Sequence, residues 1–265
     1  MSVAAASQPD ASLVVNREHI PFETDAGVGT RANLGVLMLR TDQTLESEFR
    51  FALPDSGVAL YGARLYNDTV ITPATLARMA ERIPATARLL PDIAFDVIGF
   101  ACTSGALVIG EDKVAARVRE VLPDVQVSDP VTAVRAALAA LGVSRIALLT
   151  PYLAEINHAL RAALVARGLD IPVMGSFNES DDNTVARITP QSVERAILDI
   201  GASDACDGVF VSCTNLRLAR IVERIEAKLG KPVTSSNHAF AWHMLRLAGV
   251  AEAIPGKGEL FRCGL

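Results

Sequence analysis

The chain has 265 residues, of which 50% are hydrophobic and 21% charged, and its formal net charge is −5. Its length and apolar content suffice to bury the core of one large domain or of two small lobes. The scattered lysines and arginines form no basic stripe, which argues against nucleic acid or a membrane surface as a partner. No apolar run approaches the roughly 18 residues that span a bilayer, and the first ten residues lack a signal-peptide pattern. We therefore predict a cytoplasmic protein.

Short aliphatic runs alternate with segments of helical period from Asn33 onward. This alternation is typical of βαβ units around a parallel sheet, so the predicted fold class is α/β. The predicted strands are Asn33–Leu39, Val58–Leu65, Val97–Ala101, Arg145–Thr150, Val173–Phe177, Gly208–Ser212 and Val233–Ser235. The predicted helices are Pro73–Leu90, Leu107–Leu122, Pro130–Leu141, Leu153–Arg167, Pro190–Ile200, Asn215–Leu229 and Ala239–Ala248.

A Cys-Thr pair follows an apolar strand twice, once in each half of the chain. This repetition predicts two pseudo-symmetric lobes, each a parallel sheet flanked by helices, with the active site in the cleft between them. We predict an N-terminal tail over residues 1–30, a first lobe formed by 31–129 plus 235–265, and a second lobe over 130–234. Pro130 favours the start of a helix at the join.

The two Cys-Thr motifs are Ala101–Gly105 and Ser212–Asn215. A thiol at the end of a parallel strand points into the crevice above the sheet, next to free N–H groups at a helix start. Free cysteines are more often buried hydrophobic residues, but the pairing favours chemistry. We expect the helix starts to lower the pKa of Cys102 and Cys213 from about 8.5 towards neutrality.

The residues that follow the cysteines provide hydrogen-bond donors for a substrate carboxylate. These candidate binding residues are Thr103, Ser104, Thr214 and Asn215. The four cysteines have no CxxC spacing, and neither a His/Asp/Glu cluster nor a phosphate-binding glycine loop is present. We therefore expect reduced thiols and neither a metal nor an organic cofactor.

Three further residues are candidates for substrate binding. Tyr152 follows a strand, where its phenol can reach a ligand or pack on neighbouring residues. Asn183 lies in a polar loop that is either a lid or a solvent-facing linker. Asp42 follows the first strand and either faces the crevice or caps the next helix.

Taken together, these motifs resemble the Asp/Glu racemase superfamily, in the branch that holds maleate cis-trans isomerase, arylmalonate decarboxylase and the ectoine-utilisation protein A group. The resemblance covers residues 33–250, and the stretch from Ser235 to His243 is one of its strongest elements. It implies two α/β lobes and no cofactor. In isomerase members the first cysteine adds to the substrate carbon and the second handles the proton, which implies these roles for Cys102 and Cys213. Decarboxylase members have glycine at the first position.

The resemblance also implies that Tyr152 and Asn183 bind a carboxylate. Asp42 departs from the pattern, because maleate isomerases carry an asparagine there. An ionised Asp42 repels a dicarboxylate and suits a ligand with a positive charge beside its carboxylate. Such a ligand resembles the substrates of the ectoine-utilisation group.

The sequence therefore predicts a cofactor-independent, two-cysteine racemase or isomerase that acts at a carbon next to a carboxylate, with ectoine or hydroxyectoine catabolism as its expected setting. The alternatives are a maleate cis-trans isomerase that forms a covalent Cys102 adduct, and a non-catalytic protein that binds a small molecule. A homo-oligomer is expected in each case.

Overall fold

The computed structural model describes residues 15, 17–68, 70 and 72–265. Within these residues, eight parallel strands form two separate four-stranded sheets. The first sheet has the order β2-β1-β3-β4, with bounds Ala32–Leu39, Val58–Leu65, Val97–Ala101 and Gln126–Ser128 for β1 to β4. The second has the order β6-β5-β7-β8, with bounds Arg145–Thr150, Asp170–Ser176, Gly208–Val211 and Val233–Ser235 for β5 to β8. The α/β prediction is confirmed, and both sheets share one topology.

Ten helices flank the sheets in the described part of the chain. They are α1 Leu45–Ala52, α2 Pro73–Ala87, α3 Thr103–Ile109, α4 Glu111–Arg119, α5 Pro130–Ala140, α6 Ala154–Val165, α7 Asp182–Val185, α8 Pro190–Gly201, α9 Val222–Leu229 and α10 Ser236–Leu247, followed by a 3-10 turn at Glu259–Arg262. Three helices begin with proline after a Thr or Asp cap, because the missing N–H of proline costs nothing in the first helical turn. No described helix is long and apolar enough to cross a membrane.

Two helix predictions were wrong in their extent. The segment predicted as one helix over Leu107–Leu122 is two helices that meet at Gly110, whose φ of 90° only glycine adopts readily. The segment predicted as helical from Asn215 becomes helical only at Val222. The short strand β4 was not predicted.

Helix α10 follows the last strand of the second sheet but packs against α1, α5, β3 and β4. Phe240 of α10 contacts Phe49 of α1 edge-to-face, with ring centroids 5.4 Å apart. The helix comes so close to β3 that a Cβ atom on Gly99 would lie 2.3 Å from the Phe240 ring. The end of the chain thus ties the two sheets together. The lobe boundaries themselves stay a prediction, and most of the predicted tail, residues 1–14 and 16, lies outside the described residues.

Candidate active site

Both motif cysteines lie in the wall of one cavity between the carboxyl ends of the two sheets. Cys102 directly follows β3, and Cys213 comes two residues after the end of β7. Parallel strands bring their carboxyl ends to one edge of a sheet. The two edges face each other here, so the cavity receives one thiol from each sheet.

Cys102 is the N-cap residue of α3. Its Sγ accepts a hydrogen bond from the backbone N–H of Gly105 at 3.2 Å and lies 3.7 Å from the Ser104 hydroxyl. A Cβ atom on Gly105 would stand 2.9 Å from this sulfur. Any side chain at position 105 would therefore collide with the Cys102 sulfur.

Cys213 lies in a strained backbone conformation, with φ of 142°. Such conformations cost about 1–3 kcal/mol and cluster at functional sites. Its Sγ accepts a hydrogen bond from the Asn215 N–H at 3.4 Å, and the Tyr152 hydroxyl donates a second one. The Cys213 N–H donates to the Ser236 hydroxyl at 3.0 Å.

The Ser236 hydroxyl connects the surroundings of the two cysteines. It lies 2.8 Å from the hydroxyl of Thr103, the residue next to Cys102, while it accepts the Cys213 N–H. Ser236 is fully buried at the start of α10. One side chain therefore fixes both strand ends relative to each other.

The expected lowering of the thiol pKa values was wrong for this closed site. Burial raises the pKa of Cys102 to about 12 and raises the pKa of Cys213 well above its ordinary value. The hydrogen bonds that each sulfur accepts act in the opposite direction, but desolvation of the charged form outweighs them. Both thiols are therefore protonated at neutral pH.

The cavity itself is small, about 30 Å³, which is room for a water molecule or two. Seven of the nine predicted site residues are among the described residues that line it: Cys102, Thr103, Ser104, Tyr152, Cys213, Thr214 and Asn215. Apolar side chains complete part of the wall, among them Leu39, Leu76 and Met79. Substrate entry consequently requires the walls to separate.

The other two predicted site residues, Asp42 and Asn183, are not among the described residues that line the cavity. Asp42 is buried, and its Oδ1 accepts the N–H groups of Thr44 and Leu45 at 2.9 Å each; this turn precedes α1, whose N-cap residue is Thr44. The Asn183 side chain accepts a hydrogen bond from Gln43 at 2.8 Å.

Sequence reasoning missed four polar residues that line the cavity, namely Asn67, Asp68, Thr75 and Asp182. Asp182 lines the cavity, and its Oδ2 accepts the Thr41 hydroxyl at 2.5 Å. The Asn67 side chain donates to the same Thr41 hydroxyl at 2.9 Å and also lines the cavity. The rule that strand ends carry functional residues applies to Asn67, two positions after β2. No comparable signal marked Asp182.

Two parallel sheets of identical topology, with a buried thiol from each in one cavity, define an α/β protein with a paired-cysteine site between two lobes. The chain belongs to the arylmalonate decarboxylase family, whose model matches residues 53–261. It is 33% identical to arylmalonate decarboxylase of Bordetella bronchiseptica over 76% of this chain and 89% of that protein.

The chain is also 27% identical to maleate isomerase of Nocardia farcinica over 86% of this chain and 95% of that protein. Among solved structures, a cysteine-to-serine variant of the Nocardia farcinica maleate cis-trans isomerase with a covalently bound succinylcysteine intermediate superimposes with a TM-score of 0.80. It has 26% sequence identity and covers 87% of this chain and 98% of that one. The superfamily resemblance and the prediction of an enzyme are confirmed. The narrower placement in the ectoine-utilisation group stays a prediction.

Proposed function

We propose that the protein is a two-cysteine isomerase that acts on a carbon next to a carboxylate in a small substrate. The observation that carries the proposal is the presence of Cys102 and Cys213, from different sheets, in the wall of one buried cavity. A carbon held between them has a thiol on each side. Binding alone requires no such pair.

The covalent form of the reaction begins with addition to a cis double bond. Cys102 gives its proton to solvent water, and its sulfur bonds to one alkene carbon while the π electrons move to the neighbouring carbon. That carbon takes a proton from Cys213, which leaves a saturated thioether. Rotation about the former double bond, which is now single, and reversal of the steps release the trans isomer; Cys213 regains its proton from the substrate carbon, and Cys102 takes one from solvent water.

The arrangement also suits a racemisation in which one thiol removes the proton next to the carboxylate and the other returns a proton on the opposite face. The succinylcysteine intermediate of the Nocardia farcinica relative supports the covalent form. In both forms Thr103, Ser104, Thr214 and Asn215 donate hydrogen bonds to the substrate carboxylate. Tyr152 donates to the Cys213 sulfur and favours its thiolate.

Trapping with Cys213→Ser tests the proposal. Incubated with maleate or with its monoamide maleamate, this variant is expected to gain the mass of one ligand molecule on Cys102, because the serine hydroxyl can still donate the proton that completes addition but is a poorer base than a thiolate for the return step. Cys102→Ser is expected to gain nothing. Cys206→Ser, which removes a buried thiol outside the cavity, serves as the matched control and keeps wild-type behaviour.

Solvent exchange separates the two forms of the reaction. In heavy water, racemisation exchanges the hydrogen next to the carboxylate without a stable adduct, whereas the covalent form gives both exchange and adduct. Full exchange and isomerisation by both Cys102→Ala and Cys213→Ala would end the two-thiol proposal.

The biological setting is also a proposal. The free state of all four cysteines favours a reducing compartment, the cytoplasm, and ectoine and hydroxyectoine are the first ligands to screen by thermal shift. The exposed apolar side chains of Ile20, Phe22 and Val28 favour a homo-oligomer. Light scattering on the purified protein measures its mass.

A further inference from the structure

We infer that the substrate presents a hydrogen-bond donor or a positive charge, rather than a second carboxylate, to Asp182. The inference rests on the proposed isomerase function and names the substrate class for the same cavity. It predicts a ligand with a carboxylate at one end and an amide or ammonium group at the other.

Asp182 is held in place as a binding group. The residue is buried, at 5% exposure, in the wall that also contains both thiols. The hydrogen bonds from Asn67 to Thr41 and from Thr41 to Asp182 fix the carboxylate from the opposite lobe. A carboxylate offers only acceptor oxygens, so a ligand next to it must donate.

The charge of Asp182 has no counterpart among the described residues. No ion pair of the described chain includes it, whereas Asp68, the other acidic residue of the wall, pairs with Arg78 at 3.1 Å. No described lysine, arginine or histidine lines the cavity. Buried charges are normally paired, and a cationic or donating group on the substrate is the partner that the site lacks.

Asp42 is a second buried carboxyl group close by, and burial raises its pKa. Its Oδ2 is buried and has no hydrogen-bond partner among the described residues. The charges of Asp42 and Asp182 both act on the two thiols and help to raise their pKa values.

Because of these carboxylates, the charge of the substrate affects how readily the thiols lose their protons. A positive group at Asp182 offsets the negative charge that adds to the effect of burial on the thiol pKa values, and so favours the thiolate that the reaction needs. A dianion adds to that negative charge and opposes thiolate formation. The same group that secures binding would therefore help catalysis.

Three probes with one cis-alkene core test the inference: maleate, maleamate and (Z)-4-aminobut-2-enoate. They carry a second carboxylate, a neutral amide and an ammonium group, respectively. Isomerisation is followed by proton NMR, and binding to the Cys102→Ser variant is measured by calorimetry. We expect kcat/KM for the better of the two donor probes to exceed that for maleate by about tenfold or more, equivalent to one lost charge-assisted hydrogen bond.

Asp182→Asn is expected to remove or reverse this preference, because the amide can donate to a carboxylate. Asp204→Asn makes the same chemical change at an exposed position outside the cavity and should leave the ranking unchanged. Should Asp182→Asn not fold, the wild-type ranking decides alone.

The outcomes separate the inference from the proposed function. Binding that favours a donor probe and depends on Asp182, without turnover of any probe, supports the inference and contradicts the isomerase function. Turnover with maleate preferred by the wild type contradicts the inference and leaves the isomerase function intact. Failure of both donor probes to bind also overturns the inference.

Discussion

Ser236 determines more of the site geometry than its position in the sequence indicates. Its hydroxyl accepts the N–H of the strained Cys213 and contacts the Thr103 hydroxyl, which stands next to the other thiol. A strained backbone persists only where its surroundings hold it. We therefore regard Ser236 as a positioning residue for both cysteines.

We expect Ser236→Ala to lower kcat about 10- to 100-fold with little change in KM. The Cys213 N–H loses its buried acceptor at a cost of about 1–3 kcal/mol, and each 1.4 kcal/mol changes a rate tenfold. Steady-state kinetics measures the effect, and iodoacetamide labelling at raised pH reports whether Cys213 alone changes its reactivity.

Ser236→Thr keeps the hydroxyl and should retain most of the activity. An alanine variant with wild-type kcat and an unchanged labelling ratio of Cys213 to Cys102 would show that Ser236 does not position the thiols.

Two helix boundaries show how local sequence and tertiary contacts compete. The residues after Cys213 carry helix-forming side chains but remain irregular until α9. Glu48 of α1 accepts the N–H groups of Leu218 and Ala219 at 2.9 and 2.7 Å. Because the buried Glu48 carboxylate accepts these two N–H groups, they do not form helical hydrogen bonds. The acceptor comes from the other half of the chain, so the sequence around Leu218 does not reveal it.

Gly110 separates α3 from α4, and we expect Gly110→Ala to lower the free energy of unfolding by about 1–3 kcal/mol. Its φ of 90° disfavours any side chain, although a Cβ atom there would meet nothing within 4 Å. Backbone strain is therefore the whole cost, and urea denaturation measures it.

Gly264→Ala provides the control, because its Cβ atom also meets nothing within 4 Å and its φ lies outside the positive region. It should change stability by a few tenths of a kcal/mol. A stabilised Gly110→Ala protein would instead indicate one continuous helix, as the sequence predicted.

The crossing of α10 joins the two sheets and buries His238 in a neutral state. Its Nε2 donates to the Lys257 carbonyl at 2.7 Å, and its Nδ1 lies 3.1 Å from the Thr234 hydroxyl. Burial lowers the pKa of His238 to about 4. Protonation of this ring would leave its added charge buried without an acidic partner.

We expect His238 to make the folded protein less stable as the pH falls from 8 to 5. The unfolded chain binds a proton at His238 near pH 6.5, whereas the folded protein does so only near pH 4. Acidification through this window therefore favours the unfolded state, by about 2 kcal/mol at pH 5. Urea denaturation at a series of pH values measures the loss.

His238→Gln should remove this part of the pH dependence, and His158→Gln, at an exposed position, should leave it in place. An identical pH dependence in the wild type and in His238→Gln would contradict the assignment.

Several features followed from the sequence by itself. Hydrophobic period and strand length predicted the α/β class, and four strands were predicted with the observed bounds: Val58–Leu65, Val97–Ala101, Arg145–Thr150 and Val233–Ser235. The two Cys-Thr motifs at strand ends indicated the paired thiols. These features depend on near neighbours in the chain, and strand ends in a parallel sheet face a common crevice whatever the rest of the fold.

Only the tertiary structure decided the electrostatics and the remaining polar groups of the site. The thiol pKa values are raised rather than lowered, because both thiols are buried. Their burial depends on how tightly the two lobes close, and no local motif encodes that. Asp182 reaches the cavity while its neighbour Asn183 does not, and Ser236 arrives from a helix that crosses between the sheets. Each outcome depends on contacts between residues far apart in sequence, where small differences in orientation decide which side chain meets the cavity.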